Sequence, residues 1–219
     1  MQLFRSILSR RMLALILCAI LIYVNAFTSV KVFAKVCTNQ PAFRCTANKQ
    51  AEADQAHNNN LAITAKAAVL IDNASGRILY AKNKDKKLIP ASITKIMTLL
   101  LIFESIEQGK CKLEDKVTVS EYAASMGGSQ VFLEPGETQD VNTMIKCISI
   151  ASANDAAVAM AEHLAGSEQS FVKRMNKKAK ALGMKHTHFK NCNGLDDSIE
   201  SGHYSSAYDV ALMSQSLVS

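Results

Sequence analysis

Fourteen residues, Pro90 to Phe103, set the strongest limit on how this chain can fold. They open with proline, which suits the first turn of a helix because its missing N–H has no helical partner there. From Ile96 to Phe103 only Thr98 is polar. A helix that is apolar all round has to be buried on most sides, so the rest of the chain must be built round it. Two polar residues sit at its start, Ser92 and Lys95. At a spacing of i and i+3 they lie one above the other. One reading is ordinary: Ser92 satisfies free backbone N–H groups at the helix start and Lys95 is solvated. The other is chemical. An ammonium group in a dry place loses proton affinity, and a neutral lysine can accept the proton of an adjacent serine hydroxyl.

The surrounding pattern predicts an α+β chain. Ala67–Asp72 and Arg77–Ala81 read as two strands joined by the turn Asn73-Ala74-Ser75-Gly76. The apolar helix should end near Gly109, and Lys116–Val119 reads as a short strand. Gly127-Gly128 and Pro135-Gly136 mark a loop region. Val141, Met144, Ile145 and Ile148 form one helix face. Ser152-Ala153-Asn154-Asp155 interrupts, and a helix of small residues then runs from Ala156 to Ala165, stopped by Gly166. A further helix is expected over Ser167–Gly183, with Phe171, Met175, Ala179 and Leu182 inward. Its Lys173, Arg174, Lys177, Lys178 and Lys180 read as a solvated face rather than a site for an anionic polymer. Asn191–His203 reads as a loop and Tyr208–Leu217 as the last helix.

The N-terminus accounts for most of the net charge of +6. Arg5, Arg10, Arg11 and Lys31 carry it, with no acid before residue 35, so loss of residues 1–34 leaves 6 − 4 = +2. Nothing in that balance calls for a nucleic-acid partner. The basic start and the uncharged 13-residue run Met12–Val24 read as a secretory signal. Val24-Asn25-Ala26 and Val32-Phe33-Ala34 both have a small residue for cleavage, and the second is preferred. Residues 1–34 are thus expected to be a signal peptide, residues 35–61 a polar spacer, and residues 62–219 the folded part. The product is expected outside the cytoplasmic membrane or in the cell wall, touching the membrane only through the signal. Cysteines 37, 45, 111, 147 and 192 would remain, with no Cys-x-x-Cys pair. His186 and His188 have strand spacing, but Cys192 is the only ligand-type neighbour nearby. No metal, no cofactor and no phosphate-binding glycine loop is expected.

A lone Ser-x-x-Lys is weak evidence, since it should occur about once by composition in a chain of this size. Indeed Ser170-Phe171-Val172-Lys173 matches as well, but inside an amphipathic helix. The first copy has company: Ser152-Ala153-Asn154 is the only Ser-x-Asn in the sequence, set between two apolar helical segments. The pair of motifs resembles the active-serine arrangement of penicillin-binding proteins and class A β-lactamases. Pro90–Thr98, Ser152–Ala156, Phe171–Asn176 through Leu182-Gly183-Met184, Phe189–Asn191 through Gly194-Leu195-Asp196, and His203–Ala211 together resemble the D-alanyl-D-alanine carboxypeptidases of the S11 peptidase type.

That resemblance implies a β-lactamase/transpeptidase-like fold and a serine-type carboxypeptidase acting on the peptidoglycan pentapeptide, with β-lactam antibiotics as covalent inhibitors. Ser92 would be the acyl-ester nucleophile, Lys95 the general base, Ser152 a proton relay and Asn154 the substrate-amide ligand. The family's third motif, Lys-Thr-Gly or a close variant, is absent from these residues. It belongs on a later strand, so the resemblance implies an incomplete N-terminal piece: a β-hairpin and a helical subdomain without the later sheet strands, weakly stable or inactive in isolation. Two alternatives stand beside it. One is a class A β-lactamase-like hydrolase, disfavoured by Ala153 where those enzymes usually carry Asp. The other is an inactive fragment that binds peptidoglycan.

Overall fold

The computed structural model describes residues 61–195 and 201–219; the expected signal peptide and nearly all of the expected spacer lie outside them. Strands β1 (Ala68–Ile71) and β2 (Ile78–Lys82) form an antiparallel hairpin, with Val69 opposite Ala81 and a bulge between Leu70 and Ile71. Its turn closes on Asp72, whose carboxylate accepts from Ala74 N and Ser75 Oγ, while Gly76 takes a left-handed φ of +69°. Both strands fall where alternation and turn chemistry place them, within one residue.

The apolar stretch starts differently from expectation. Ala91–Thr94 is a 3₁₀ turn, and helix α1 proper runs Lys95–Glu107. Ser92 caps nothing: no side chain bonds the backbone at either start. Met97, Thr98, Leu99, Leu100 and Ile102 are buried, as an all-round apolar helix requires. Beyond it come β3 (Lys116–Thr118), α2 (Glu121–Ala124), β4 (Thr138–Asp140), α3 (Val141–Ile150), α4 (Asn154–Ala165), α5 (Glu168–Ala181) and α6 (Ala207–Val218). The pairing of β3 with β4 was not foreseen. A polar three-residue strand, Thr-Gln-Asp, shows no alternation, and it exists because its partner supplies the hydrogen bonds.

Helices α1 and α4 are the centre of the helical region. Both pack on α3 and α5 and on each other, and α4 also meets α2 and β3. Every residue from Asn154 to Ala161 is buried. Alanines at 156, 157, 159 and 161 allow the close approach that small side chains permit. The predicted inner face of α3 (Val141, Met144, Ile145 and Ile148) is the buried one. A smaller cluster, Ala67, Val69, Ala207 and Ala211, seats the hairpin on α6. Among the described residues the hairpin pairs with no further strand.

One carboxylate holds the loop before β4. Asp155, fully buried, accepts backbone N–H bonds from Val131 and Leu133, both at 3.1 Å to Oδ2, and from Ala156 at 2.8 Å. Replacing it by alanine leaves the donors of buried Leu133 and Ala156 and of half-buried Val131 without this partner. The Asp155→Ala protein is expected to be destabilised by about 3 kcal/mol, read as a shift of the urea midpoint, with faster amide exchange at Val131 and Leu133.

Candidate active site

Lys95 is the first residue of α1 and Asn154 is the first of α4, and Lys95 Nζ donates to Asn154 Oδ1 at 2.7 Å. The N-termini of the two central helices therefore meet. Among the described α-helices these two have no side-chain bond from the N-cap residue; α2, α3, α5 and α6 are capped by Ser120, Asp140, Ser167 and Ser206. Both starts point their positive dipole ends at the site, although Asn154 N already donates to Ser129 O and Ala156 N to the Asp155 carboxylate. They favour an anion that develops there and disfavour an ammonium.

Lys95 is only 3% exposed. Burial pulls its pKa from 10.5 down to about 8, partly offset by its surroundings, the Asp155 carboxylate among them. Its nitrogen has three neighbours: Asn154 Oδ1 at 2.7 Å, the carbonyl oxygen of Asn193 at 2.7 Å, and Ser92 Oγ at 3.3 Å. Ser92 itself is exposed at the start of the 3₁₀ turn. Asn154 is held on its other side, its Nδ2 donating to Gly127 O at 2.7 Å. That leaves one amide N–H and one oxygen lone pair of Asn154 uncommitted to these two bonds. Ser152 sits one residue before the α4 cap in a left-handed conformation, φ +57°, and the recorded bonds of Lys95 do not include it.

The floor under Ser92 was not visible in the sequence as chemistry. Cys192 O accepts from Thr98 Oγ1 at 2.5 Å, the next carbonyl takes Lys95, and Gly194 presses on the Ala91–Ser92 peptide. A β-carbon on Gly194 would lie 1.9 Å from Ala91 O, and the residue has φ +83°. Ala91 is itself left-handed at φ +46°. A non-glycine residue held there is strained, and such strain collects where the surroundings over-determine a functional geometry. Two more contacts fix the segment. Glu168 Oε1 accepts from Cys192 N at 3.0 Å. His203 Nδ1 accepts from Lys190 N, so its Nε2 carries the proton and donates to Thr94 Oγ1 at 2.9 Å. Asn-Cys-Asn-Gly at 191–194 is a turn signal, but only the fold shows which helix the turn docks against.

The other sequence candidates lie elsewhere. Ser170 bonds Ser167 while Lys173 is exposed, so the second Ser-x-x-Lys makes no site. His186 faces Asp85 and His188 bonds Gly202 O, so the two rings serve different partners. On α5, Lys173, Arg174, Lys177 and Lys180 are exposed and Lys178 pairs with Glu104.

A buried lysine of lowered basicity against an exposed serine, at the joined starts of two buried helices, is the arrangement that acyl transfer of the Ser–Lys type requires. Comparison with known proteins identifies the family. The D-alanyl-D-alanine carboxypeptidase model of the peptidase S11 family matches residues 50–219. The carboxypeptidase DacF of Bacillus subtilis is 58% identical over 168 residues, 77% of this chain and 42% of that protein. DacC of Escherichia coli is 41% identical over 71% of this chain and 40% of its own length. The solved carboxypeptidase DacD of Francisella tularensis superposes with a TM-score of 0.70 at 36% identity, covering 78% of this chain and 40% of that one. Penicillin-binding protein D2 of Listeria monocytogenes, solved in its ampicillin-bound form, gives 0.64 at 30% identity over 73% and 63%. The chain belongs to the D-alanyl-D-alanine carboxypeptidase family and has its transpeptidase-like fold. It spans about two fifths of the length of the curated relatives it matches.

Proposed function

We propose that these residues form the nucleophile side of a serine D-Ala-D-Ala carboxypeptidase site acting on peptidoglycan stem peptides. The observation that carries the reading is the geometry at Lys95 Nζ. Two fixed acceptors at 2.7 Å take two N–H bonds. In the neutral amine that leaves one tetrahedral position, the lone pair, for the direction of Ser92 Oγ at 3.3 Å. A pKa of about 8 leaves about a tenth of Lys95 neutral at pH 7, against roughly one part in three thousand at its usual 10.5.

Ser92 Oγ would bond to the carbonyl carbon between the two D-alanines while its proton passes to Lys95. Collapse breaks the C–N bond, the proton returns through Ser152 to the leaving amine, and water then hydrolyses the acyl-serine. Asn154 would hold the substrate amide as well as Lys95. The Ser92 backbone N–H would supply one oxyanion donor, aided by the two positive helix ends. The family membership and the ampicillin-bound relative support β-lactams as covalent inhibitors. The basic, apolar N-terminus supports export to the outer face of the cytoplasmic membrane. The matched relatives are named as peptidases, which favours this reading over a β-lactamase.

Fluorescent penicillin tests the assignment on the whole 219-residue chain. One covalent adduct is expected, mapping to the peptide that contains Ser92. Its rate should rise about tenfold per pH unit below pH 8 and level off above, because the base works only when neutral and its pKa is about 8. An adduct on another residue would refute the proposal, and folded protein that takes no label would refute activity of this 219-residue chain. Release of D-alanine from a pentapeptide, without turnover of the lactam ring, separates the carboxypeptidase from a β-lactamase.

A further inference from the structure

We infer that Cys111, Asp115 and His163 bind a divalent transition-metal ion of zinc type at the opposite pole of the two central helices. The thiol sulfur, a carboxylate oxygen and a ring nitrogen all lie within 4.8 Å of one another. From sequence spacing no metal site is expected, because Cys111 and Asp115 stand in the loop after α1 while His163 is in the last turn of α4. The fold brings them together. α1 and α4 start at the Ser92 site, and the cluster sits where they end. A 12-residue helix such as α4 spans about 18 Å, so this site is distinct from the serine.

The chemistry of the three donors selects the ion. One sulfur, one nitrogen and one oxygen suit Zn²⁺ and do not suit Ca²⁺ or Mg²⁺, which take oxygen ligands. Three protein ligands leave a fourth position for water, as in open zinc centres. Zinc bonds of 2.0–2.3 Å put ligand atoms about 3.3–3.8 Å apart, so closure needs shifts of about an ångström, within reach of the exposed His163 side chain. The loop is already braced. Asp115 Oδ2 accepts from Lys112 N at 2.7 Å, its backbone N–H returns to Lys112 O, and Val141 N and Asn142 N donate to Asp115 O and Leu113 O. The other carboxylate oxygen is outside that bond. Cys111 is buried beside the core, so the sulfur is held rather than mobile.

Charge is consistent with a cation. The thiolate, its proton released to solvent, and the carboxylate supply two negative charges. The C-terminal end of α4 adds the negative end of its dipole. A concavity of about 470 Å³ between α1, α4 and α5 is lined by His163 but not by Cys111 or Asp115. Lys110, Arg174 and Lys177 also line it and oppose a cation. Lys110 is drawn aside to Gln108 Oε1 at 2.8 Å.

Cobalt(II) reports on the site directly. Titration of the full chain should bind one Co²⁺ with a thiolate-to-cobalt charge-transfer band, and Zn²⁺ should displace it. His163→Ala, a surface change that leaves folding intact, should weaken binding by more than the roughly tenfold cost of losing an outer-shell partner. Cys111→Ser should remove the charge-transfer band, and Cys147→Ser should leave it unchanged. If Cys111→Ser unfolds, Asp115→Asn serves in its place and should also weaken binding. Absence of the band from the native chain overturns the inference, as does a band that survives unchanged in His163→Ala or Cys111→Ser, which would place the ion on thiols elsewhere.

Discussion

Replacing Lys95 by alanine is expected to slow acylation of Ser92 by penicillin about 10²- to 10⁴-fold, the usual worth of a general base. The label should still map to Ser92, whose hydroxyl is exposed and does not depend on Lys95 for its place in the 3₁₀ turn. Lys95→Arg is the sharper variant. A guanidinium keeps the charge but cannot lose its proton at any working pH. If Lys95 acts only by holding Asn154 Oδ1 and Asn193 O in place, arginine should restore part of the rate. If it acts as a base, arginine should be as slow as alanine and the rise toward pH 8 should vanish. Wild-type labelling in Lys95→Arg would remove the base from the mechanism. Stability follows its own sign. Because the folded pKa of about 8 lies below the usual 10.5, the unfolded chain binds the extra proton between those values. Stability therefore rises with pH across that window and the cost is fully present below it.

Gly194→Ala should have the largest structural effect of any glycine-to-alanine change among the described residues. The new β-carbon would stand 1.9 Å from Ala91 O and 2.4 Å from Ala91 C, both backbone atoms, at φ +83°. Neither neighbour can rotate away. Either the 192–194 turn lifts off α1, releasing Lys95 and Thr98 from their carbonyl partners, or the Ala91–Ser92 peptide shifts and moves the nucleophile. A loss of about 4 kcal/mol is expected by chemical denaturation, and the protein that remains folded should label at least about tenfold more slowly. Gly166→Ala is the control. Gly166 is also left-handed, at φ +76°, but nothing lies within 4 Å of its added carbon. It should cost only the backbone term, about 1 kcal/mol. Equal effects at the two glycines would show that Gly194 is needed for its φ alone and not for the contact with Ala91.

The two predictions separate what could be read along the chain from what could not. Ser92 and Lys95 are neighbours by helical spacing, and an apolar run behind them implies a dry lysine; both facts are local. So are the buried face of α3, the hairpin turn at Asp72–Gly76 and the stop at Gly166. The start of α1 was misjudged by one turn because proline signals the beginning of a helical run without saying whether its first turn is 3₁₀ or α. Strand β4 and helix α2 were missed because three or four residues carry too little pattern, and their hydrogen bonds come from partners distant in sequence.

Local pattern was enough to establish the hairpin, the buried helix, the serine beside a lysine, and the segments that resemble one family. It was enough because backbone periodicity, turn chemistry and i, i+3 contacts depend on residues a few positions apart. The basicity of Lys95 was decided by tertiary structure. Its three partners come from residues 92, 154 and 193, and its burial comes from helices packed around α1. The same holds for the docking of Gly194 on Ala91 and for the meeting of Cys111, Asp115 and His163. In each case the interaction exists only once the chain is closed, since desolvation and hydrogen-bond geometry are set by atoms that sequence order keeps apart.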